Sequence, residues 1–330
     1  MEKNVKIKGL ESPVSQLIMG TAWLDFNREA KVMEATLEAY VAAGGNTLDT
    51  GRFYGGGAAE KILAKWLDRS GLRGRLLFTS KAGHYYVNEQ NEHFPELSRV
   101  RPDCIAEDLD FSLDHLGLDH FDIFMMHRDN PEVPVAPLID QLEEQHRAGR
   151  IRAYGLSNWT LPRVGEALEY AASRGYQGIS VLSPSYSLAT VHSPRWPGCE
   201  YVNDDYALAF KGTEVVILPW GAQGGGYFSE TWTRENAPAG FADCYFNAEN
   251  EEKLKRAKEL ARKYGALPVN IALAYLLNQG LPIAPVIGPR SPGELAASLR
   301  ALDIRLSPAE VDYLALRRGG PIVEGMAHER

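Results

Sequence analysis

Short apolar runs alternate with longer amphipathic ones along most of the chain. The short runs are SQLIMGTA (15–22), GNTLDT (45–50), RLLFTSKA (75–82), HFDIFMMH (120–127), RIRAYGLSN (150–158), GISVL (178–182), EVVILPW (214–220) and IAPVIG (283–288). Apolar runs of this length, bounded by turn residues, predict buried strands. Between them, residues 29–44, 104–117, 137–149, 161–175, 250–265 and 291–303 carry apolar positions at i, i+3 and i+4. That spacing predicts helices buried on one face. Gly44, Gly117, Gly149, Gly175 and Gly265 sit where helix ends favour glycine.

Strands alternating with helices predict an α/β fold with a parallel sheet, and eight such units are the number that closes a (β/α)8 TIM barrel. One barrel domain over 1–330 is the expectation. An open doubly wound sheet is the alternative; it would carry a glycine fingerprint after its first strand, where this chain reads MGTAWLD. Two connections are long, 183–213 after the sixth strand and 221–250 after the seventh. In a barrel both leave the C-terminal face, where active-site loops gather.

Composition narrows the class. With 45% hydrophobic and 24% charged residues the chain reads as an ordinary globular protein. A net charge of -8 argues against a nucleic-acid partner. Cys104, Cys199 and Cys244 form no CxxC pair, so neither a disulfide framework nor a zinc site is expected, and a reducing cytoplasm is the natural compartment. The N-terminal MEKNVKIKGLESP lacks an apolar signal core, and no stretch reaches the roughly 18 apolar residues of a membrane span. Oligomeric state is left open.

Titratable residues gather at predicted strand ends. Asp49 closes the second strand in DTGRFYGGG and Tyr54 follows it; Lys81 closes the third and His127 the fourth; Ser157 and Asn158 end the fifth. In a barrel these ends meet at one mouth. Their chemistry is complementary. An ammonium beside a phenol lowers the phenol's pKa, an aspartate holds the ammonium, and an imidazole orients a carbonyl oxygen. One such residue alone is more often a cap or a surface pair, but four complementary types at three successive ends point to a site that reduces a carbonyl. No metal is expected: His120 and His127 are seven apart on one strand and face opposite sides.

The motifs MGTAW, DTGRFYGGGAAE, TSK, LGLDHFDIFMMHRDNP, GLSNW and VIGPRSPGEL make the sequence resemble an aldo-keto reductase, over almost its whole length. The resemblance implies a (β/α)8 barrel, a nicotinamide cofactor and no metal. It maps a catalytic tetrad onto Asp49, Tyr54, Lys81 and His127, with Tyr54 as general acid, or as base in the reverse direction. It places Gly20, Thr21, Ala22 and Asp49 beside the cofactor, with Ser157 and Asn158 at the carboxamide and Trp220 stacked on the nicotinamide. A core tryptophan is the plainer reading of Trp220. Ser183 stands where the family usually has glutamine. GAQGGG, with Gly221 and Gln223, replaces the commoner Ser-Pro-Leu; its glycines either bind pyrophosphate through backbone N–H groups or form a flexible loop.

Gly288, Arg290, Glu294 and Ser298 fall where the family binds the adenosine end. Arg290 favours the 2′-phosphate of NADP, whereas Glu294 favours the free hydroxyl of NAD. NADP is taken first as the family default, with NAD close behind. Trp23, Tyr54, Tyr85, His127 and Arg128 are placed on the substrate side. Aromatic and charged neighbours there suit a small-molecule carbonyl, among which a sugar or polyol is preferred. Two other readings stand beside an oxidoreductase: a redox-sensing cofactor-binding subunit with little turnover, and an isomerase or lyase on the same barrel.

Overall fold

Eight parallel strands form a ring in the computed structural model, which describes residues 4–24 and 29–317. They are β1 (Ile18–Gly20), β2 (Thr47–Asp49), β3 (Leu77–Ala82), β4 (Phe121–Met126), β5 (Ile151–Ser157), β6 (Ile179–Ser183), β7 (Val216–Ile217) and β8 (Val286–Ile287). Each pairs in parallel with its sequence neighbour, and β8 pairs with β1. The ring closes between β7 and the segment before β8. Ile217 N–H donates to Pro282 O at 2.8 Å, Ala284 N–H to Ile217 O at 2.9 Å and Val286 N–H to Pro219 O at 2.9 Å. This is the expected (β/α)8 barrel, with its edges removed by closure.

The interior of the ring is a packed core. Ile18, Ile123, Met125, Ala153, Val181, Val216, Leu218 and Ala284 meet there, contributed by six strands or their immediate flanks. Residues alternate inward and outward along a strand, so each strand gives only one or two. Asn4–Val5 and Val14–Ser15 pair as an antiparallel hairpin that adds Val14, and Ile7 from its loop, to the same core. Gly20 is required by close approach: a Cβ there would lie 2.9 Å from Val286 Cγ1 and 3.1 Å from Ile287 O.

The helices that follow β1 to β5 are α1 (Ala30–Ala42), α2 (Ala58–Ser70), α3 (Pro102–Leu116), α4 (Val135–Arg147) and α5 (Leu161–Ser173). Later come α6 (Ala248–Tyr264), α7 (Pro268–Leu277) and α8 (Pro292–Leu299). Periodicity finds all of these but two. The start of α2 is visible only as the end of the glycine run, and α7 is buried from Val269 to Leu276. A helix covered on every side has no polar face, so it shows no amphipathic signal. The prolines at 219, 282 and 285 cut β7 and β8 to two residues each, shorter than the runs 214–220 and 283–288. A hairpin of Tyr85–Val87 with His93–Ser98 extends the loop after β3, and Pro95 within it masks the strand pattern.

Two compact units divide the chain. The first holds residues up to Tyr186 together with 196–220 and 281–296, and so contains every barrel strand. The second holds 187–195, 221–280 and the chain from Ala297 onward. In it, Tyr227, Phe241, Tyr245 and Phe246 form an aromatic cluster, and Asn250 Oδ1 and Nδ2 pair with both backbone groups of Thr190. Among the described residues no helix is long and apolar enough to cross a membrane. Residues 1–3 of the N-terminal segment, and 318–330 of the expected 1–330 domain, lie outside the described residues.

Candidate active site

Asp49 and Lys81 are carried by adjacent strands and are 5% and 4% exposed. Lys81 Nζ lies 2.6 Å from Asp49 Oδ1, 2.9 Å from Tyr54 OH and 2.9 Å from Thr50 O. An ammonium has three donors, and all three are aimed here. Thr79 Oγ1 donates to the same Asp49 oxygen at 2.5 Å, and Thr21 donates to Asp49 O through Oγ1 at 3.0 Å. Tyr54 opens the turn Tyr54–Gly57, in which Gly55, Gly56 and Gly57 have φ of 59, 64 and 88°. Gly56 is needed for space as well, because a Cβ would lie 2.4 Å from Asn88 O in the hairpin loop. The ring of His127 meets that of Tyr54 edge-on at 5.6 Å and 81°. The structure therefore brings all four expected residues together.

Burial raises the pKa of Tyr54 above that of a free phenol; Lys81 pulls it back, and Asp49 opposes Lys81. The net direction differs from the expectation that the ammonium lowers it. The reason is that Asp49 neutralises much of the field Lys81 exerts, while desolvation acts on the phenolate in full. Tyr54 is thus a protonated acid. Burial disfavours the charge on Lys81, but Asp49 and Tyr54 outweigh it and hold its pKa above the usual value. His127 is pushed well below the usual imidazole value by burial and by the cations and imidazole around it, so it is a neutral ring.

His84 stands 4.5 Å from His127, ring to ring. Its Nδ1 is 2.8 Å from Tyr85 O, and its Nε2 is 3.2 Å from an Arg128 Nη. A carbonyl only accepts and a guanidinium only donates, so the tautomer is fixed with hydrogen on Nδ1. Burial, with Arg128 second, lowers its pKa to about 3. Tyr85 is buried; its hydroxyl pairs with His93 Nδ1 at 2.9 Å and its ring lies 5.9 Å from the Arg128 guanidinium carbon. Trp23 is also buried, with Nε1 donating to Gly20 O at 2.6 Å. Asp129 is held by Arg163 through two bonds of 2.9 and 3.0 Å.

On the cofactor side, Ser157, Asn158, Ser183 and Trp220 stand together. Asn158 has φ of 62°, a left-handed conformation that asparagine tolerates. Its Nδ2 donates to His127 O at 2.9 Å and to Ser157 Oγ at 3.0 Å. Its Oδ1 accepts from Trp220 Nε1 at 3.1 Å and Glu200 N–H at 3.2 Å. Ser157 Oγ donates to Ser183 O, and Ser183 Oγ donates to Leu218 O, both at 2.7 Å. These side chains thus hold one another, with Asn158 using every amide hydrogen and both acceptor sites. Trp220, partly exposed, meets Trp196 at 62° and Tyr201 at 68°. Its plane is held by these edge-on rings and by Asn158. Thr21 is buried and Ala22 exposed.

The adenosine-side expectations separate. Glu294 turns its carboxylate back to accept from Arg290 N–H at 2.8 Å, while Arg290 and Gly288 are exposed. In the second unit, Ser298 is buried and accepts from Gln223 Nε2 at 3.1 Å. Gly221, Gly224, Gly225 and Gly226 all have positive φ. Gly224 N–H donates to Gly221 O and Gly226 N–H to Gln223 O, so these two donors are spent within the turn rather than offered to a pyrophosphate.

Sequence reasoning missed a brace behind the tetrad. Asp108 on α3 is fully buried; it accepts from Arg52 and Arg99 at 2.6 Å each and from Gly83 N–H at 2.9 Å. Arg52 is therefore tied to α3, and Phe53 packs between His84 and Tyr86. Glu60 on α2 is likewise buried, held by Ser80 and Ser112, with its pKa raised by burial to about 7. The available signal was an acid on the apolar stripe of each helix. Among the described residues no cluster of ligating side chains could hold a metal.

A buried Lys–Asp–Tyr relay at the mouth of a (β/α)8 barrel defines the class. The chain belongs to the aldo/keto reductase family, whose model matches residues 16–315. It is 27% identical over 274 residues to aldo-keto reductase yakc [NADP(+)] of Schizosaccharomyces pombe, covering 80% of this chain and 75% of that protein. It is 26% identical over 327 residues to a probable voltage-gated potassium channel subunit beta of Oryza sativa, covering 94% of each. A glycerol dehydrogenase from Gluconobacter oxydans superposes with a TM-score of 0.77 at 22% identity, over 98% of this chain and 99% of that one. Members of the family use nicotinamide cofactors.

Proposed function

We propose that this aldo-keto reductase is an NAD(P)-dependent enzyme that interconverts a small carbonyl compound and its alcohol, with Tyr54 as the acid. The observation that carries this reading is Lys81 Nζ bridging Asp49 at 2.6 Å and Tyr54 at 2.9 Å beside the neutral His127. The nicotinamide supplies or accepts the hydride when bound. His127 donates a hydrogen bond to the substrate oxygen and so polarises the carbonyl. As the carbonyl carbon is reduced, its oxygen takes the phenolic proton of Tyr54. Lys81 stabilises the phenolate left behind, and Asp49 keeps Lys81 in place. Oxidation of the alcohol runs through the same groups in reverse.

Trp220, Asn158, Ser157 and Ser183 hold the ring end of the cofactor in this reading, with Gly20, Thr21 and Ala22 lining it. Gly288, Arg290 and Glu294 serve the adenosine end. NADP is the preferred cofactor, supported by the exposed Arg290 and by the yakc relative named for NADP(+). The same family module spans both units of the chain as one domain, a reading supported by the match over 16–315. The cytoplasm is its compartment. A redox-sensing subunit with little turnover is the second reading, favoured by the likeness to a channel subunit.

Tyr54→Phe separates them. It should abolish turnover while leaving cofactor binding, read as quenching of tryptophan fluorescence. Full activity in that variant would remove Tyr54 from the chemistry. Tight cofactor binding by the native chain, without turnover of any carbonyl compound, would favour the sensing subunit.

A further inference from the structure

Arg128 follows His127 directly and is 8% exposed, yet among the described residues it has no carboxylate partner. One Nη donates to the neutral His84 Nε2 at 3.2 Å, and the thiol of Cys199 is a second contact. Its Nε is buried with no hydrogen-bond partner. Asp129 is committed to Arg163 and Asp49 to Lys81. Burial keeps the Cys199 thiol above the ordinary thiol pKa, so it is no anion either.

A guanidinium keeps its charge under all ordinary conditions, and burying one without a counter-charge is strongly unfavourable. A fold retains such a group where something bound completes it. The placement says what. His84 contacts both Arg128 and His127, its ring tilted by 50° and 4.5 Å from the ring proposed to hold the carbonyl oxygen. His84 is locked as an acceptor toward Arg128, which fixes the orientation of the guanidinium and leaves the buried Nε without a hydrogen-bond partner. A guanidinium presents planar N–H donors suited to an oxyanion.

We infer that the substrate carries an oxyanionic group, a carboxylate or a phosphate, close to its reacting carbonyl, and that the Arg128 guanidinium pairs with it. This rests on the carbonyl chemistry proposed for Tyr54 and His127, and it names the substrate class for that site. It also sets Arg128 apart from Asp129, whose carboxylate is occupied by Arg163. His84 is a positioning residue in this arrangement.

The test uses matched pairs differing only in charge or in the phosphate. In turnover they are 4-carboxybenzaldehyde against 4-carbamoylbenzaldehyde, and glyceraldehyde 3-phosphate against glyceraldehyde. In binding, calorimetry on the cofactor-loaded enzyme compares benzoate with benzamide, and inorganic phosphate is titrated separately. The native enzyme should favour the anionic member by about tenfold or more, and Arg128→Gln should collapse that ratio. The pair that shows the preference separates carboxylate from phosphate. Arg128→Lys keeps a charge without the fork and should give an intermediate ratio; it carries the test if Arg128→Gln does not fold. No preference in any pair, or a ratio untouched by both substitutions, overturns the inference. Equal turnover of neutral and anionic aldehydes does so while leaving the oxidoreductase reading intact. Anion-selective binding with no turnover of any aldehyde does the reverse.

Discussion

Lys81 Nζ lies 2.6 Å from Asp49 Oδ1, and both side chains are almost wholly buried. Removing one partner of such a pair strands a charge, which costs about 3–5 kcal/mol, whereas removing both is far milder. Lys81→Met and Asp49→Asn should each lower stability by about that amount. The double variant should be more stable than Lys81→Met alone. Chemical denaturation of the three variants checks this; additive losses would mean the two residues are not a coupled pair. Turnover should fall by about 10²- to 10⁴-fold in Lys81→Met, because the acid loses the cation that stabilises its conjugate base.

Glu60 predicts a pH dependence of stability. Its folded pKa, about 7, is raised above the ordinary 4.5 by burial. Between those values the native state binds a proton that the unfolded chain has released. Stability therefore falls as pH rises from about 4.5 to about 7, by about 3 kcal/mol in all, and is flat for this group above that window. Glu60→Gln should remove this slope. Melting temperatures of both proteins across the window provide the comparison, and parallel curves would count against a buried, protonatable Glu60.

Gly56 predicts a local penalty of steric origin. A Cβ there meets Asn88 O at 2.4 Å, whereas one at Gly71, with a similar φ of 67°, meets nothing within 4 Å. Gly71→Ala should cost about 1 kcal/mol from backbone strain alone. Gly56→Ala should cost more and also depress turnover, since the displaced turn carries Tyr54. Equal losses at the two sites, read by urea titration, would show that the hairpin contact does not constrain the loop.

In the proposed reading, Arg290 and Glu294 pull the cofactor preference in opposite directions. Glu294→Gln removes a carboxylate that would repel a 2′-phosphate, and should raise the NADP to NAD ratio of kcat/KM by about tenfold. Arg290→Ala should lower that ratio similarly, by removing a phosphate-pairing cation. Ratios that do not move in either variant would place the adenosine end elsewhere.

How much of this was legible beforehand differs by element. Asp49, Lys81 and His127 could be singled out because each is polar and ends an apolar run, and Tyr54 because it follows one closely; a parallel barrel sends all strand ends to one mouth. Arg128 was visible only as a charge beside a histidine. Its lack of a carboxylate partner among the described residues depends on Arg163, thirty-four positions from Asp129, having taken that acid. The same holds for Asp108, whose two arginines come from the loop after β2 and the end of the hairpin.

By itself the sequence determined the alternation of strand and helix, their number, and which residue types lie at the strand ends, because periodicity and chain order are local properties. Only the tertiary structure decided which charges are paired and which protons are held. Burial raised Tyr54 and Glu60, hydrogen bonding fixed the His84 tautomer and turned Asn158 inward, and packing left Arg128 without a carboxylate partner among the described residues. Desolvation and pairing depend on what the whole fold packs around a group, and no stretch of neighbouring residues records that.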